Sequence, residues 1–256
     1  ALPPDVDKFF AAAGILLLEG YGLTETAPVL GVRAQDHPVP GTVGPVFPGM
    51  EIKIVDEQGN TLPPGTKGLV MARGPQIMMG YYRKPELTDQ ISGDEGWLDT
   101  GDLGMLTHNN ELKIMGRAKD TIVLLGGENI EPNPIEQKLQ ESQYIEQSIV
   151  LGQDQKFLAA LLVPNFDEIE SYAKENNISY MGNEDLIESP EIIELFNDAV
   201  YELVSPKNGF KPFERIFRFK LLAKSFELGD ELSQKQEIKR HVITEKYDKE
   251  IKELFR

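Results

Sequence analysis

Between Gly41 and Gly116 the chain is cut into short β-forming runs, "EIKIVD", "GLVMARG" and "ELKIMG", by the turn compositions "EQGN", "LPPGTKG" and "THNN". Strands this short, joined by tight turns, pair locally, so the segment predicts a β-rich, barrel-like subdomain. From Arg117 onward the texture changes. "TIVLL" and "SIVLG" read as strands flanking a helix whose start is written as an Asn133 cap, Pro134 in the first turn and Glu136 three residues after the cap. "FLAALLVP" reads as a further strand, and the alternation predicts a small α/β domain. Ser189-Pro190 opens a helix with Ile192, Phe196, Val200 and Leu203 on one face. A single last helix is predicted to carry Ile238, Val242, Tyr247, Ile251 and Leu254 or Phe255, with Glu245 and Lys249 paired on its outer face. The fold class expected is therefore mixed α/β and β, with residues 1–117 and 118–256 as separate domains and few contacts between them.

Upstream, "PPDVDKFFAAAG" predicts a short helix ended by Gly14, and "ILLLEG" a buried strand ended by Gly20. "GYGLTETAPV" then follows as the loop after a strand.

Composition narrows what such a chain can do. With 256 residues and no cysteine, disulfides, thiol nucleophiles and cysteine-ligated zinc are excluded. His37, His108 and His241 show no ligand spacing, so any metal is expected on oxygen ligands. A net charge of −16 opposes nonspecific binding to nucleic acid, which depends on lysine and arginine neutralising phosphates. The local exception runs from Ser205 to Lys224, where Lys207, Lys211, Arg215, Arg218, Lys220 and Lys224 face the single acid Glu214. That run is either a solvated face or a dock for a small phosphorylated or acidic partner. "AAAGILLL" is far shorter than the roughly 20 apolar residues of a membrane span and has no basic flank before it, so no signal peptide or transmembrane segment is expected.

Two stretches carry chemistry. In "GYGLTET" the glycines let backbone approach a flat ligand, the Tyr21 ring offers a stacking surface, Thr24 can donate to a phosphate oxygen, and Glu25 can help hold Mg²⁺. A nucleotide fits each part, as does a plain strand exit and helix cap. In "GWLDTGDLG" Asp99 and Asp102 are expected in a turn around Thr100-Gly101, where an aspartate can accept two ribose hydroxyls or simply make an Asx turn. Arg117, Lys119 and Asp120 fall where the two domains join, and Gly126-Gly127 is a loop able to pass close to a narrow ligand.

Taken in order, "YGLTET", "GPQIMMGYYRKPE", "GWLDTGDLG" and "GRAKDTIVLLGGENIEP" resemble the AMP-forming acyl-CoA synthetases, within the adenylate-forming enzymes. The wording is most similar to the long-chain fatty-acid branch, including the acyl-ACP synthetases. The resemblance spans nearly the whole chain and is weakest between Asn165 and Gly209. It implies the end of a large nucleotide-binding domain followed by a small mobile C-terminal domain. It also implies an ATP- and Mg²⁺-dependent ligase that makes an acyl-adenylate from a long-chain fatty acid. The acyl group then passes to the phosphopantetheine thiol of coenzyme A or of an acyl carrier protein.

Residue by residue, the resemblance implies Tyr21 stacked on adenine with Gly20 and Gly22 lining the pocket. Thr24 would sit at the α-phosphate, Glu25 at Mg²⁺, and Asp102 and Arg117 at the ribose. Lys119 falls at the hinge, and Gly126 and Gly127 at the thiol's tunnel. A cytoplasmic location is expected, with any peripheral membrane contact made by residues upstream of Ala1.

Two departures stand against the family pattern. Its Ser/Thr/Gly-rich phosphate-gripping loop is missing, so Ala1 reads as the start of a fragment not expected to adenylate on its own. The position of the adenylation lysine, two residues before the basic pair Lys239-Arg240, is Glu237, with Lys235 two residues earlier as a candidate substitute. Three functional readings follow: a fatty acyl ligase, another adenylate-former acting on aryl or amino acids, and a non-catalytic descendant that binds nucleotide or carrier.

Overall fold

The computed structural model describes residue 2 and residues 4–256. Contacts divide the chain into two units, Ala1–Lys119 and Asp120–Arg256.

The first unit opens with helix α1 (Pro4–Ala12), closed by Gly14 in the left-handed region. The run Ile15–Glu19 is not the buried strand that its composition predicts. Along Ile15–Leu18 it joins no strand: the Ile15 N–H turns back to the Phe10 carbonyl at 2.9 Å, the Leu17 carbonyl accepts Arg33 Nη1 at 3.3 Å, and Ile15 is 52% exposed. A strand is stable only where a neighbouring strand takes up its N–H and C=O groups. Pairing begins where the Arg33 N–H reaches the Glu19 carbonyl at 2.9 Å, and continues as β1 (Gly20–Tyr21) against β2 (Gly31–Val32).

The β-forming runs become an antiparallel meander of β3 (Glu51–Val55), β4 (Gly68–Arg73), β5 (Leu98–Leu106) and β6 (Leu112–Arg117), with helix α2 (Pro85–Ile91) between β4 and β5. In place of a closed barrel, β3 and β6 lie at opposite edges. The β6 edge is hydrogen-bonded by the Val43–Gly44 segment, with Val43 N–H to the Leu112 carbonyl at 2.8 Å. Strand β5 was not foreseen as a strand: the "LDTGDLG" of "GWLDTGDLG" belongs to it rather than to a free turn. Its two glycines reconcile the readings. Gly101 takes φ 69° and the register slips at Leu103/Gly104, so the strand bends without leaving the sheet. Two small cores, one around Val43, Ile54, Val70 and Leu112 and one around Leu30, Met50 and Ala72, both pack against Tyr21.

The second unit begins with the two-residue pair β7 (Ile122–Val123) and β8 (Asn129–Ile130), so "TIVLL" is strand for only part of its length. Helix α3 (Pro132–Leu139) starts at Pro132 behind Glu131, not behind Asn133. This places Glu136 a full turn inside the helix, where it cannot cap. Next come β9 (Ile145–Leu151) and β10 (Leu158–Pro164). Helices α4 (Phe166–Glu175), α5 (Asn183–Leu186) and α6 (Pro190–Leu203) then lead to β11 (Ile216–Leu221).

The sheet order is β11-β10-β9, with β10 antiparallel to β9 and parallel to β11. A parallel pair needs a long crossover, which α4 to α6 provide. β10 has cores on both faces: Leu158, Ala160 and Leu162 join one, Ala159, Leu161 and Val163 the other. That is why its sequence is an unbroken apolar run instead of an alternating one. Each fully buried leucine there contributes about 1.5–3 kcal/mol.

The expected last helix is two, α7 (Arg240–Lys246) and α8 (Asp248–Leu254), broken at Tyr247 with φ −108° and ψ 27°. The break lets both helices lay Ile243 and Leu254 on the same sheet face. Glu245 and Lys249 do not pair. Lys246 instead binds Asp230 and the buried Glu231, and Lys252 binds Asp248 at 2.7 Å.

Candidate functional site

The "GYGLTETAPV" loop is tight for reasons internal to it. Leu23 N–H donates to Thr26 Oγ1 at 2.9 Å, and the buried Thr26 hydroxyl returns a bond to the Leu23 carbonyl at 2.9 Å. A Cβ on Gly22 would lie 1.5 Å from the Pro28 carbonyl oxygen, so this glycine is required by the loop's own backbone. Gly20 has ordinary room for a Cβ. Thr24 is exposed at the start of the Thr24–Thr26 turn, and its neighbour Glu25 is half-buried.

Burial of the Tyr21 ring between two cores aims its hydroxyl at β5, where it donates to Asp102 Oδ2 at 2.6 Å. Asp102 is cross-strand partner to Arg117, whose Nε lies 3.4 Å from Asp102 Oδ1. The Asp102 side chain is 7% exposed and that of Arg117 50%, so the carboxylate is fixed from the protein side while the guanidinium remains half in solvent. Burial raises the Asp102 pKa, against the Tyr21 hydrogen bond and the Arg117 charge. Burial and the adjacent Asp102 push the Tyr21 phenol well up, which keeps it neutral and donating. The expected Asx geometry exists: Gly101 N–H donates to Asp99 Oδ1 at 2.7 Å. Thr100 Oγ1 anchors the bend to the Val70 carbonyl at 2.8 Å and accepts the Asp102 N–H at 3.2 Å.

Glu25 is held by a residue sequence reasoning passed over. Tyr81, within the quoted block "GPQIMMGYYRKPE", donates its hydroxyl to Glu25 Oε1 at 2.6 Å, and Met78 N–H donates to the Glu25 carbonyl at 2.8 Å. The two residues are 56 apart in sequence, and the sequence marked Tyr81 only as part of a block that resembles the family. No group of three or more potential ligands gathers among the described residues. A single carboxylate with one open oxygen is compatible with Mg²⁺, which keeps waters and takes substrate phosphates as its other ligands.

The structure therefore brings Tyr21, Asp102 and Arg117 together, and sets Glu25 beside Tyr81. The remaining expected residues lie outside this cluster. Lys119 is exposed in the Ala118–Asp120 turn, at the last residue of the first unit. Gly126 and Gly127 form the turn between β7 and β8. There Gly127 takes φ 88° with open space around it, and a Cβ on Gly126 would meet the Glu128 carboxylate.

Lys235 and Glu237 are both exposed on a turn whose ends are joined by a Leu232–Ile238 bridge and by Ser233 N–H to the Glu237 carbonyl at 2.8 Å. Gln236, between them, takes φ 62°. The basic run is partly structural: Arg218 binds the Leu254 and Arg256 carbonyls, Lys220 pairs with Glu253 at 2.9 Å, and Arg215 stacks over Tyr201.

Residues 1–82 match the family described as AMP-binding enzyme, and residues 119–256 match the AMP-binding enzyme C-terminal domain. The second match alone takes in more than half of the chain. The chain belongs to the AMP-binding enzyme family.

Among curated members, the long-chain-fatty-acid–[acyl-carrier-protein] ligase AEE15 of Arabidopsis thaliana is 46% identical over 66% of this chain and 25% of its own length. The long-chain-fatty-acid–CoA ligase FadD15 of Mycobacterium bovis is 30% identical over 96% of this chain and 39% of its own length. The chain thus spans a quarter to two fifths of the length of these two relatives. In structure, the ATP-bound RpMatB-BxBclM chimera B1 superposes with a TM-score of 0.73 at 26% identity, over 96% of this chain and 44% of that one. The adenylation domain of a carboxylate reductase from Mycobacterium chelonae superposes with a TM-score of 0.81 at 23% identity, over 100% and 37%, which shows a shared fold. The mixed α/β fold is that of adenylate-forming enzyme domains. No helix among the described residues is long and apolar enough to cross a membrane.

Proposed function

We propose that the protein containing this chain is an AMP-forming ligase that activates a long-chain fatty acid with ATP and passes it to a phosphopantetheine thiol. The carboxylate oxygen bonds to the α-phosphorus as the bond to the departing pyrophosphate breaks. The thiolate then attacks the acyl carbonyl and AMP leaves. The observation that carries the reading is the Tyr21–Asp102–Arg117 cluster. It offers a fixed buried carboxylate, a phenol oriented by it and a half-exposed guanidinium. Such a set suits a ribose diol, because the carboxylate accepts both hydroxyls without having to be reordered.

In this reading Tyr21, with Gly20 and Gly22, contacts adenine, and Asp102 and Arg117 hold the ribose. Thr24 donates to the α-phosphate, and Glu25, oriented by Tyr81, holds Mg²⁺, which would neutralise phosphate charge. Lys119 is the hinge between half-reactions, Gly126 and Gly127 border the thiol's path, and Lys235 stabilises the charge that develops during adenylation. The acceptor is coenzyme A or an acyl carrier protein, the two acceptors named in the relatives.

Fatty-acid-dependent exchange of pyrophosphate into ATP by the full-length protein tests the first half-reaction. Thioester formation with each acceptor in turn tests the second. Glu237, exposed where the family pattern places a lysine, supports a second reading as a binding-only descendant. Nucleotide binding without any exchange, across long-chain, aryl and amino acids, would select that reading.

A further inference from the structure

Just after the Lys235 turn, Arg240 enters a buried ion pair that the reading above leaves without a role. Glu136, in the middle of α3, is almost fully buried. One of its oxygens accepts the Val150 N–H at 2.7 Å and a hydrogen bond from Arg240 Nη2. Arg240 Nη1 in turn donates to the Val150 carbonyl at 3.0 Å. β9 is an edge of its sheet, so the outward-facing groups of Val150 have no further strand to pair with. The Glu136–Arg240 pair takes the place of that strand. Ser148 Oγ adds a bond to the Glu136 carbonyl at 3.2 Å, fastening α3 to the same edge.

Arg240 is the first residue of α7 and stands three residues after Glu237, so it fixes the exit of the turn. The entry is fixed separately. Buried Glu231 binds Lys246, its carbonyl accepts the Lys239 N–H at 2.8 Å, and Lys239 Nζ reaches the Gly229 carbonyl at 2.9 Å. Arg240 Nε also lies 4.0 Å from Asp120, the residue after Lys119. Apolar residues of similar size often stabilise a buried site as well as an ion pair does, so the pair's distinctive contribution is geometric. It sets one placement of the turn against β9.

We infer that Glu136 and Arg240 form a clamp that positions the Ser233–Glu237 turn, and with it Lys235, for acyl-adenylate formation. Both act through Lys235 and neither touches substrate. The inference rests on the proposed ligase activity, and the experiment separates the two.

In the full-length protein, pyrophosphate exchange with a long-chain fatty acid is measured for wild type, Glu136→Gln, Lys235→Ala and the double variant. Thioester formation from synthetic acyl-adenylate is measured alongside. Glu136→Gln keeps the side chain's shape and an acceptor for Val150 but removes the charge facing Arg240. It should slow exchange by about tenfold or more while leaving the thioester step within about twofold, because a small misplacement of a catalytic group is costly only in the step that uses it. On a Lys235→Ala background the same substitution should cost nothing further, since the two act as one unit.

Absence of exchange in the wild type would defeat the ligase reading. An active wild type in which Glu136→Gln slows both half-reactions equally, slows neither, or slows exchange as much without Lys235 as with it would overturn the clamp. Should Glu136→Gln not fold, Arg240→Lys, which keeps the charge but loses the two-pronged grip on Glu136 and Val150, carries the same comparison with the same outcomes.

Discussion

Two buried carboxylates, one in each unit, are paired with arginines and differ in what surrounds the pair. Asp102 and Glu136 have equally buried side chains, each 7% exposed. Arg117, beside Asp102, is 50% exposed at 3.4 Å and makes no other ion pair among the described residues. Arg240, beside Glu136, is 21% exposed and also binds the Val150 carbonyl. Burial raises the pKa of both acids against the pull of their partners. The difference is saturation. Glu136 sits in a set of hydrogen bonds that close on the protein itself. Asp102 sits under a cation that still faces solvent. A closed pair orders backbone and an open pair is available to a ligand, so burial by itself does not mark a site.

The comparison can be broken by substitution. The most damaging change should be Gly22→Ala beside the open pair, because the new Cβ would overlap the Pro28 carbonyl and the loop cannot keep its path. Nucleotide binding measured by calorimetry on the full-length protein should be lost, whereas retained affinity would show that the loop is not part of the site. Next in size, Glu136→Ala leaves Arg240 with the more distant Asp120, at 4.0 Å, as its counter-charge and should cost about 3 kcal/mol in urea unfolding. A cost below that of Asp102→Ala would reverse the assignment of closed and open pairs. Asp102→Ala should weaken ATP and AMP together by about 1–3 kcal/mol, because the ribose hydroxyls common to both lose their acceptor. Its effect on unfolding should be smaller than that of Glu136→Ala, as Arg117 can turn to water.

The smallest effect is a pH dependence at a third carboxylate. Burial opposes ionisation of Glu231, but the hydrogen bonds from Lys246 and the Glu227 N–H outweigh it and hold the carboxyl below its ordinary 4.5. A lowered folded-state pKa contributes stability above the unfolded value and loses it as pH falls through the folded one. Glu231→Gln should therefore flatten the loss of stability below about pH 4.5, with no change in slope near neutrality. Glu136 and Asp102, shifted the other way, should show no such acid-side loss. An unchanged acid limb in Glu231→Gln would mean that the Lys246 pair is too screened to matter.

Much of the fold was legible residue by residue. β3, β4 and β6 sit where short β-branched runs lie between turn residues, and α6 buries Ile192, Phe196 and Val200 as its period requires. β10 was legible as a strand because "FLAALLVP" is a short apolar run set off by "GQDQ", and all seven strand residues are buried. The failures share a cause. Ile15–Leu18 has the composition of a buried strand, but composition cannot supply a pairing partner. Glu136 has the spacing of a capping residue, yet the helix starts at Pro132 and the side chain turns inward to β9.

For the candidate site, Tyr21, Glu25, Asp102 and Arg117 were picked out in the sequence as residue types suited to a nucleotide. Their assembly was not. The Tyr21–Asp102 hydrogen bond spans 81 residues and Tyr81–Glu25 spans 56. Both depend on strand register and loop closure, which are set by packing across the whole unit. The same holds for the clamp, whose members Glu136 and Arg240 lie 104 residues apart and meet only because β9 leaves an edge to be filled. Local periodicity and motif chemistry are written in neighbouring residues and can be read there. Which buried charge meets which partner is decided by long-range register, and only the folded chain contains it.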